Sequence, residues 1–369
     1  MFRLPLVMVV LALLLTACAS NKVARTQVQQ AQSATATGRY EEAVRYWDKA
    51  LKSGKLTDKQ KLTAYLSQAE AYTALNQYPA ALEAYGRALR LNPKDADIYS
   101  QRGRVYSLQG DTQRAFEDYD RALQLKPDSA ETYLNRGGTY SAQGDYSRAL
   151  ADYDQALQLN PNLTTAYLSR GDLYLQQGQY SQAQDNYSKA LRLDDKLAKA
   201  YVKRGFIYKT QRQYQKAIAD FEQALRLEPS DAEAYAGLGA LYATLGQYQK
   251  AVENYDQALQ LNPDTVEILN NRGLAYQLLG ETQKALEDYD RAIGLNTTYA
   301  PAYVNRGYAY YTLGQYPQAL ENYDRAIELD PKLATAYSNR GKTYTALGQP
   351  EKAGEDFNKA RQLLAEKQP

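Results

Sequence analysis

The chain has 369 residues, 44 Lys plus Arg against 42 Asp plus Glu, and a formal net charge of +2. That balance makes no electrostatic case for nucleic acid, which favours a clustered basic face. The lack of any His, and a single Cys at position 18, remove the commonest general base, the usual zinc ligand and any internal disulfide.

Residues 1–17 have the shape of a cleaved secretory signal. Arg3 opens a short charged region, and Leu4 to Leu15 is an apolar run of 12 residues, well short of the ~20 that span a bilayer. Leu15-Thr16-Ala17-Cys18 resembles the lipobox of bacterial lipoproteins. The resemblance implies that Cys18 is lipidated and becomes the mature N-terminus; an ordinary signal peptide with a chance cysteine is the alternative. Ala19, in place of Asp, resembles the sorting pattern for the outer membrane of a two-membrane bacterium. The expected location is therefore the outer membrane, facing the periplasm, with a cell-surface or inner-membrane lipoprotein as alternatives. Each buried lipid CH₂ contributes ~0.8 kcal/mol, so a multiply acylated terminus holds stably. Residues 18–23 leave only a short tether before the first helix.

A degenerate first copy of a repeat occupies residues 24–57. Gly38, Tyr40, Ala43, Trp47, Ala50 and Leu51 keep its register, while Gln27, Gln29, Gln30 and Gln32 give the polar outer face that a terminal repeat requires. A small insertion at residues 53–60 breaks the spacing and is the expected hinge. Residues 62–367 then hold nine copies at a period of 34, starting at Leu62, Ala96, Ala130, Thr164, Ala198, Ala232, Val266, Ala300 and Ala334.

In the copy from Ala130, Tyr133, Gly137 and Tyr140 fall at positions 4, 8 and 11, the spacing of one helix face. Gly144 at position 15 tolerates the positive φ that ends a helix. Tyr146, Ala149, Tyr153, Ala156 and Leu157 repeat the helical spacing, and Pro161 stops the second helix. Each copy is thus two antiparallel helices of roughly 12 residues, ~18 Å long. Small residues at 8, 20 and 27 let the backbones approach and tyrosines fill the rest. This explains 35 Tyr against 5 Phe and 1 Trp. A lone hairpin cannot bury its apolar face, so the copies stack.

The pattern Tyr133, Gly137, Tyr140, Gly144, Ala149, Tyr153, Ala156, Pro161 resembles the tetratricopeptide repeat. The resemblance implies an all-α, right-handed α-solenoid of about ten helix-turn-helix units. Local departures are Asn76 and Arg212 for the turn glycine, Asp195 and Thr297 for the proline, and Leu269 for the position-4 tyrosine. Arg212 tolerates the left-handed conformation poorly, so a different or strained turn is expected there. At the C-terminus, Lys352, Glu355, Asp356, Lys359 and Arg361 supply polar groups that could cap the stack; docking of that end on another surface is the other reading.

No catalytic constellation is present and no cofactor or metal is implied. Asp118/Asp120, Asp152/Asp154 and Asp288/Asp290 are two apart, so on a helix they point in different directions and read as solvated charges. No phosphate-cradling glycine loop or calcium loop appears. The expectation is that the protein is not an enzyme. Arg102, Arg136, Arg170, Arg204, Arg272, Arg306 and Arg340 recur at position 7, most in step with Asp at 23 or 25. They could form an anion-binding ladder, or partner the aspartates within and between repeats while their stems cover apolar surface.

By the same resemblance, positions 2, 5, 9, 12 and 13 of the first helices line a concave groove for protein or peptide partners. These positions give Leu168, Leu175, Lys199, Val202, Phe206 and Lys209, with Lys203 adjacent, and then Leu274, Leu278, Val304, Tyr308 and Tyr311. Ala236, Ala240 and Ala243 leave a shallow floor between them. Phe206, Tyr308 and Tyr311 are aromatics beyond those the repeat requires, and buried aromatic anchors dominate interface energies; incidental surface exposure is the other reading. Asn135, Asn271, Asn305 and Asn339 at position 6 could bond a peptide backbone or bond within the stack. The Lys/Asn/Arg carboxylate clamp of chaperone-binding relatives is not matched: Lys199 and Lys203 fit its last element, whereas Ser169, Leu134 and Gly138 fail the others. The expected function is a membrane-anchored scaffold or adaptor of envelope assembly, similar to lipoproteins that recruit peptidoglycan hydrolases, barrel-assembly factors or pilus secretins. A passive spacer between membrane and cell wall is the alternative.

Overall fold

A computed structural model describes residues 25–366, and it contains only helices among them. The first helix, α1, covers residues 25–36. It is followed by α2 (Tyr40–Lys52), α3 (Asp58–Ala74), α4 (Tyr78–Leu91), α5 (Ala96–Gln109), α6 (Thr112–Leu125), α7 (Ala130–Ala142), α8 (Tyr146–Leu159), α9 (Thr164–Gln176) and α10 (Tyr180–Leu193). Then come α11 (Ala198–Thr210), α12 (Tyr214–Leu227), α13 (Ala232–Thr244), α14 (Tyr248–Leu261), α15 (Val266–Leu278), α16 (Thr282–Leu295), α17 (Ala300–Thr312), α18 (Tyr316–Leu329), α19 (Ala334–Ala346) and α20 (Pro350–Ala365). The chain divides into two compact units at Asn186/Tyr187. Within each unit the order of packing is the same: a helix pairs with its hairpin partner, that partner packs on the next hairpin, and successive first helices lie side by side. This is the all-α hairpin stack that the 34-residue period predicts.

Contact between position 8 and position 24 sets the hairpin. A Cβ on Gly137 would stand 2.9 Å from Cε1 of Tyr153, and one on Gly307 2.8 Å from Cε1 of Tyr323. Glycine at 8 therefore lets the ring at 24 lie against bare backbone. The alanines at 20 and 27 are fully buried beside it, as in Ala149 and Ala156. Tyr119, Tyr289 and Tyr323 are likewise fully buried.

The turns follow one design, including where the sequence departs from it. Gly144 takes φ +80 and Arg212 takes φ 59. Asp145 N–H donates to the Tyr140 carbonyl at 2.9 Å, and Gln213 N–H to that of Tyr208 at 2.8 Å. Of the two outcomes expected at Arg212, a different turn or a strained one, the structure has the second: Arg212 keeps the turn by adopting the glycine conformation.

Other boundaries depart from the repeat register. Within the insertion at residues 53–60, residues 53–57 form a tight turn, with Gly54 at φ 64 and Leu56 buried in a cluster with Trp47 and Ala64. Thr57 and Gln60 then make a reciprocal capping box, which starts α3 at Asp58, ahead of the repeat origin at Leu62. At the far end, Gly354 and exposed Arg361 on α20 stand at the register positions of Leu320 and Ile327 on α18, while Leu364, 57% exposed, stands at that of Asp330. Asp356 is not one of the solvated capping groups: it is 5% exposed and ion-paired to Arg340. Gln29, Gln30 and Gln32 on α1 are exposed. Residues 1–17, read above as a signal segment, and Cys18 lie outside the described residues.

Candidate partner-binding groove

The position-7 arginines are structural. The Arg136 guanidinium donates through Nε and Nη2 to both oxygens of Asp152, at 2.9 Å each, and through Nη1 to Asp120 of the preceding hairpin at 3.0 Å. Tyr133 lies under the same group, 5.5 Å from its ring centroid. Arg272 repeats the arrangement with Asp288 and Asp256, and Arg340 with Asp356 and Asp324. With the fork spent on carboxylates that hold it above its ordinary pKa, no free anion site remains on these side chains.

The aspartate pairs read as solvated charges split in two. Asp118, Asp152 and Asp288 are 5%, 6% and 5% exposed and paired with Arg102, Arg136 and Arg272. Asp120, Asp154 and Asp290 face solvent, with exposed side chains. Two-residue spacing on a helix puts one carboxylate toward its own hairpin and the other toward the next.

The groove residues fall into three groups. Val202 and Val304 belong to the core, 2% and 7% exposed, and are not groove side chains. Phe206 is not spare either: it is half-buried and meets Phe221 edge-on at 5.0 Å. Leu168 and Leu175, in the N-terminal unit, are half-buried.

In the C-terminal unit, Lys199 is exposed and lines a cavity of about 670 Å³ with Val202 and Lys203, beside Glu228, Asp231 and Glu233. This cavity lies at the loops between hairpins, where acidic groups already offset its lysines. Lys209 is half-buried, and desolvation lowers its pKa from the ordinary lysine value.

The remaining four residues lie on two adjoining helices, α15 and α17. Leu274 and Leu278 on α15 are 38% and 50% exposed, and Tyr308 on α17 is 39% exposed. Tyr311 stacks beside Tyr308 at 6.3 Å with 15° between the ring planes, and Tyr316 closes the row at 5.7 Å from Tyr311. Gln277, a polar residue at a groove position, lies between the two leucines of α15 and is not among the twelve residues assigned to the groove by sequence. Among the position-6 asparagines, Asn135 donates to Ser100 at 3.3 Å and Asn305 to Asn270 at 2.9 Å, both in the preceding hairpin. Those two serve the stack, whereas Asn271 is exposed.

Models of the tetratricopeptide repeat match most of the chain. One TPR repeat model matches residues 69–110, 103–144, 171–212, 242–280 and 307–348. Others match 28–79, 130–163, 198–231, 266–299 and 334–363. No curated protein matches the chain. Two solved structures share the fold. The APC/C hetero-tetramer Cut9-Hcn1 is 16% identical with a TM-score of 0.52, over 87% of this chain and 76% of that one. PilF of Pseudomonas aeruginosa is 21% identical with a TM-score of 0.51, over 61% of this chain and 98% of that one. The chain belongs to the tetratricopeptide repeat family, whose members are typically non-enzymatic scaffolds for protein or peptide partners.

Proposed function

We propose that the protein is a lipid-anchored adaptor of the bacterial envelope that holds a protein partner against the first helices of its C-terminal unit. The observation that carries the reading is the exposure of Leu274 and Leu278 on α15 and of Tyr308 on α17, two first helices that adjoin. Aliphatic and aromatic side chains left in solvent on adjoining helices fit an interaction surface, and large rigid rings are efficient anchors.

Anchoring rests on Cys18 and the apolar run before it. No described helix is long and apolar enough to cross a membrane, so the acyl chains would be the attachment. Arrival at the outer membrane rests on Ala19, and a role in envelope assembly rests on analogy with lipoproteins of this repeat class.

A photo-reactive amino acid placed at Tyr308 in intact cells tests the groove, with a second at Arg325 on α18 as the control. Protein adducts from position 308 and none from 325 are expected. Equal yields at both, or none at 308, would leave the passive spacer as the better reading. Mass spectrometry of the mature N-terminus should show an acylated Cys18.

A further inference from the structure

The copy from Leu62 keeps only part of the arginine site that later copies share. In those copies an aspartate at position 25 is ion-paired with the position-7 arginine of the next copy, as Asp120, Asp154, Asp256, Asp290 and Asp324 all are. The guanidinium also lies near the tyrosine at position 11, Arg272 over Tyr276 at 5.7 Å and Arg340 over Tyr344 at 6.0 Å. The degenerate first copy has Asp48 at position 25, but the copy that follows it carries Gln68 at position 7 and Ala84 at position 23. Both members of the inner Arg–Asp pair are thus replaced, while the outer carboxylate and the position-11 ring, Tyr72, are kept.

The result is a cavity of about 110 Å³ between α2, α3 and α4, lined by Asp48, Gln68, Tyr72, Glu83, Ala84 and Arg87. Gln68 donates through Nε2 to Asp48 Oδ1 at 2.7 Å, a neutral amide where later copies present a charge. No cation among the described residues pairs with Asp48. Arg87, the cation that lines the cavity, is engaged elsewhere: it pairs with Glu83 at 2.6 Å and covers the ring of Tyr65 at 5.8 Å. Burial first, and then the charges of Asp48 and Glu83, hold the Tyr72 hydroxyl above its ordinary pKa against the opposing effect of Arg87. The field at that ring is therefore negative. Asp48 and Tyr72 are half-buried and Glu83 is exposed, so the cavity is open to solvent. Simple loss of the arginine has a different outcome. In the copy from Ala232, Leu238 takes position 7 into the core at 4% exposure, and Glu222 at the preceding position 25 is exposed.

We propose that the cavity between α2, α3 and α4 binds a guanidinium group brought from outside the chain, in the place that the position-7 arginine fills in later copies. The group donates to the Asp48 carboxylate and lies against the Tyr72 ring. Its planar fork matches a carboxylate and its flat face suits an aromatic surface, whereas an ammonium ion is compact and strongly hydrated. A half-buried carboxylate bonded only to an amide gains from a charged donor. Two carboxylates against one arginine make the lining select a cation. The site is built from positions 7, 11, 22, 23 and 25, and not from those that line the groove, so it stands or falls apart from the groove reading.

The test is a saturation-transfer NMR titration of the full folded chain with N-acetyl-arginine methylamide, the matching lysine compound and free arginine. The capped arginine should half-saturate at roughly 1–10 mM, the range of a weak small-ligand site, and the lysine compound should bind at least about fivefold more weakly. Asp48→Asn, which keeps the shape and removes the charge, should weaken the capped arginine at least about fivefold. The double variant Gln68→Arg, Ala84→Asp rebuilds the pair found in later copies, and should abolish binding without lowering the thermal midpoint. Free arginine bound about tenfold more tightly than the capped form would assign the site to the amino acid; any smaller ratio assigns it to an arginine side chain of another polypeptide. No saturable signal from either arginine compound, lysine binding equal to arginine, or binding unchanged in Asp48→Asn would each overturn the proposal. So would a folded double variant that still binds; Asp48→Asn alone decides if the double variant does not fold.

Discussion

Arg136 and Asp120 belong to consecutive repeats, and their side chains meet at 3.0 Å while Asp152 grips the same guanidinium from the other side. One side chain thus ties three helices: its own α7, the hairpin partner α8 and the preceding α6. The Asp152 carboxylate is nearly buried, whereas that of Asp120 is 61% exposed, and burial decides what each bond is worth. Arg136→Ala leaves a carboxylate without compensation in the core and should cost about 3 kcal/mol. Asp120→Ala removes an exposed pair and should cost less than about 1 kcal/mol. Urea denaturation of the two variants checks the ratio, and equal costs would contradict this division of labour.

The Gly307–Tyr323 contact predicts a second stability effect. Alanine is usually worth about 1 kcal/mol more than glycine inside a helix. Here its Cβ would sit 2.8 Å from the ring and force the hairpin apart. Gly307→Ala should therefore destabilise, by about 1–3 kcal/mol, while Gly294→Ala, whose Cβ meets nothing within 4 Å, should stabilise. Opposite signs in thermal melts are the expected outcome.

Arg212 holds φ 59 in a turn built for glycine. The left-handed conformation costs an ordinary residue roughly 1–2 kcal/mol. Arg212→Gly should raise the thermal midpoint, and Arg212→Ala should not.

Burial raises the tyrosine hydroxyls. Tyr85 and Tyr119 are pushed from 10.0 to about 12 by desolvation. The folded state thus holds these protons more tightly than the unfolded chain does. Their contribution to stability is complete below pH 10 and is lost as pH rises from 10 through 12. With no His in the chain, the melting temperature should vary little between pH 6 and 9 and fall steeply above 10. Circular dichroism melts across that range are the check.

The sequence made the hairpin legible because its rules are local. Gly at 8, an aromatic at 24 and a left-handed residue at 15 each have a steric cause, and all three recur in the fold at the predicted places. Features that depend on two registers at once were harder to read. The two-residue spacing of Asp152 and Asp154 shows that they diverge, but not that one is buried under Arg136 and the other left for Arg170. Val202 and Val304 stand at positions assigned to the groove, yet close packing between neighbouring hairpins covers them. The capping box of Thr57 and Gln60 lies outside the period, so α3 begins earlier than the repeat does.

The most direct test of the account measures capture of the partner photo-crosslinked from Tyr308 by the double variant Leu278→Arg, Tyr308→Ala, against the unaltered chain. At least a tenfold loss of capture with the same thermal midpoint is expected, because both side chains are exposed and neither supports the core. Capture that survives both substitutions would contradict the claim that the first helices of the C-terminal unit hold the partner.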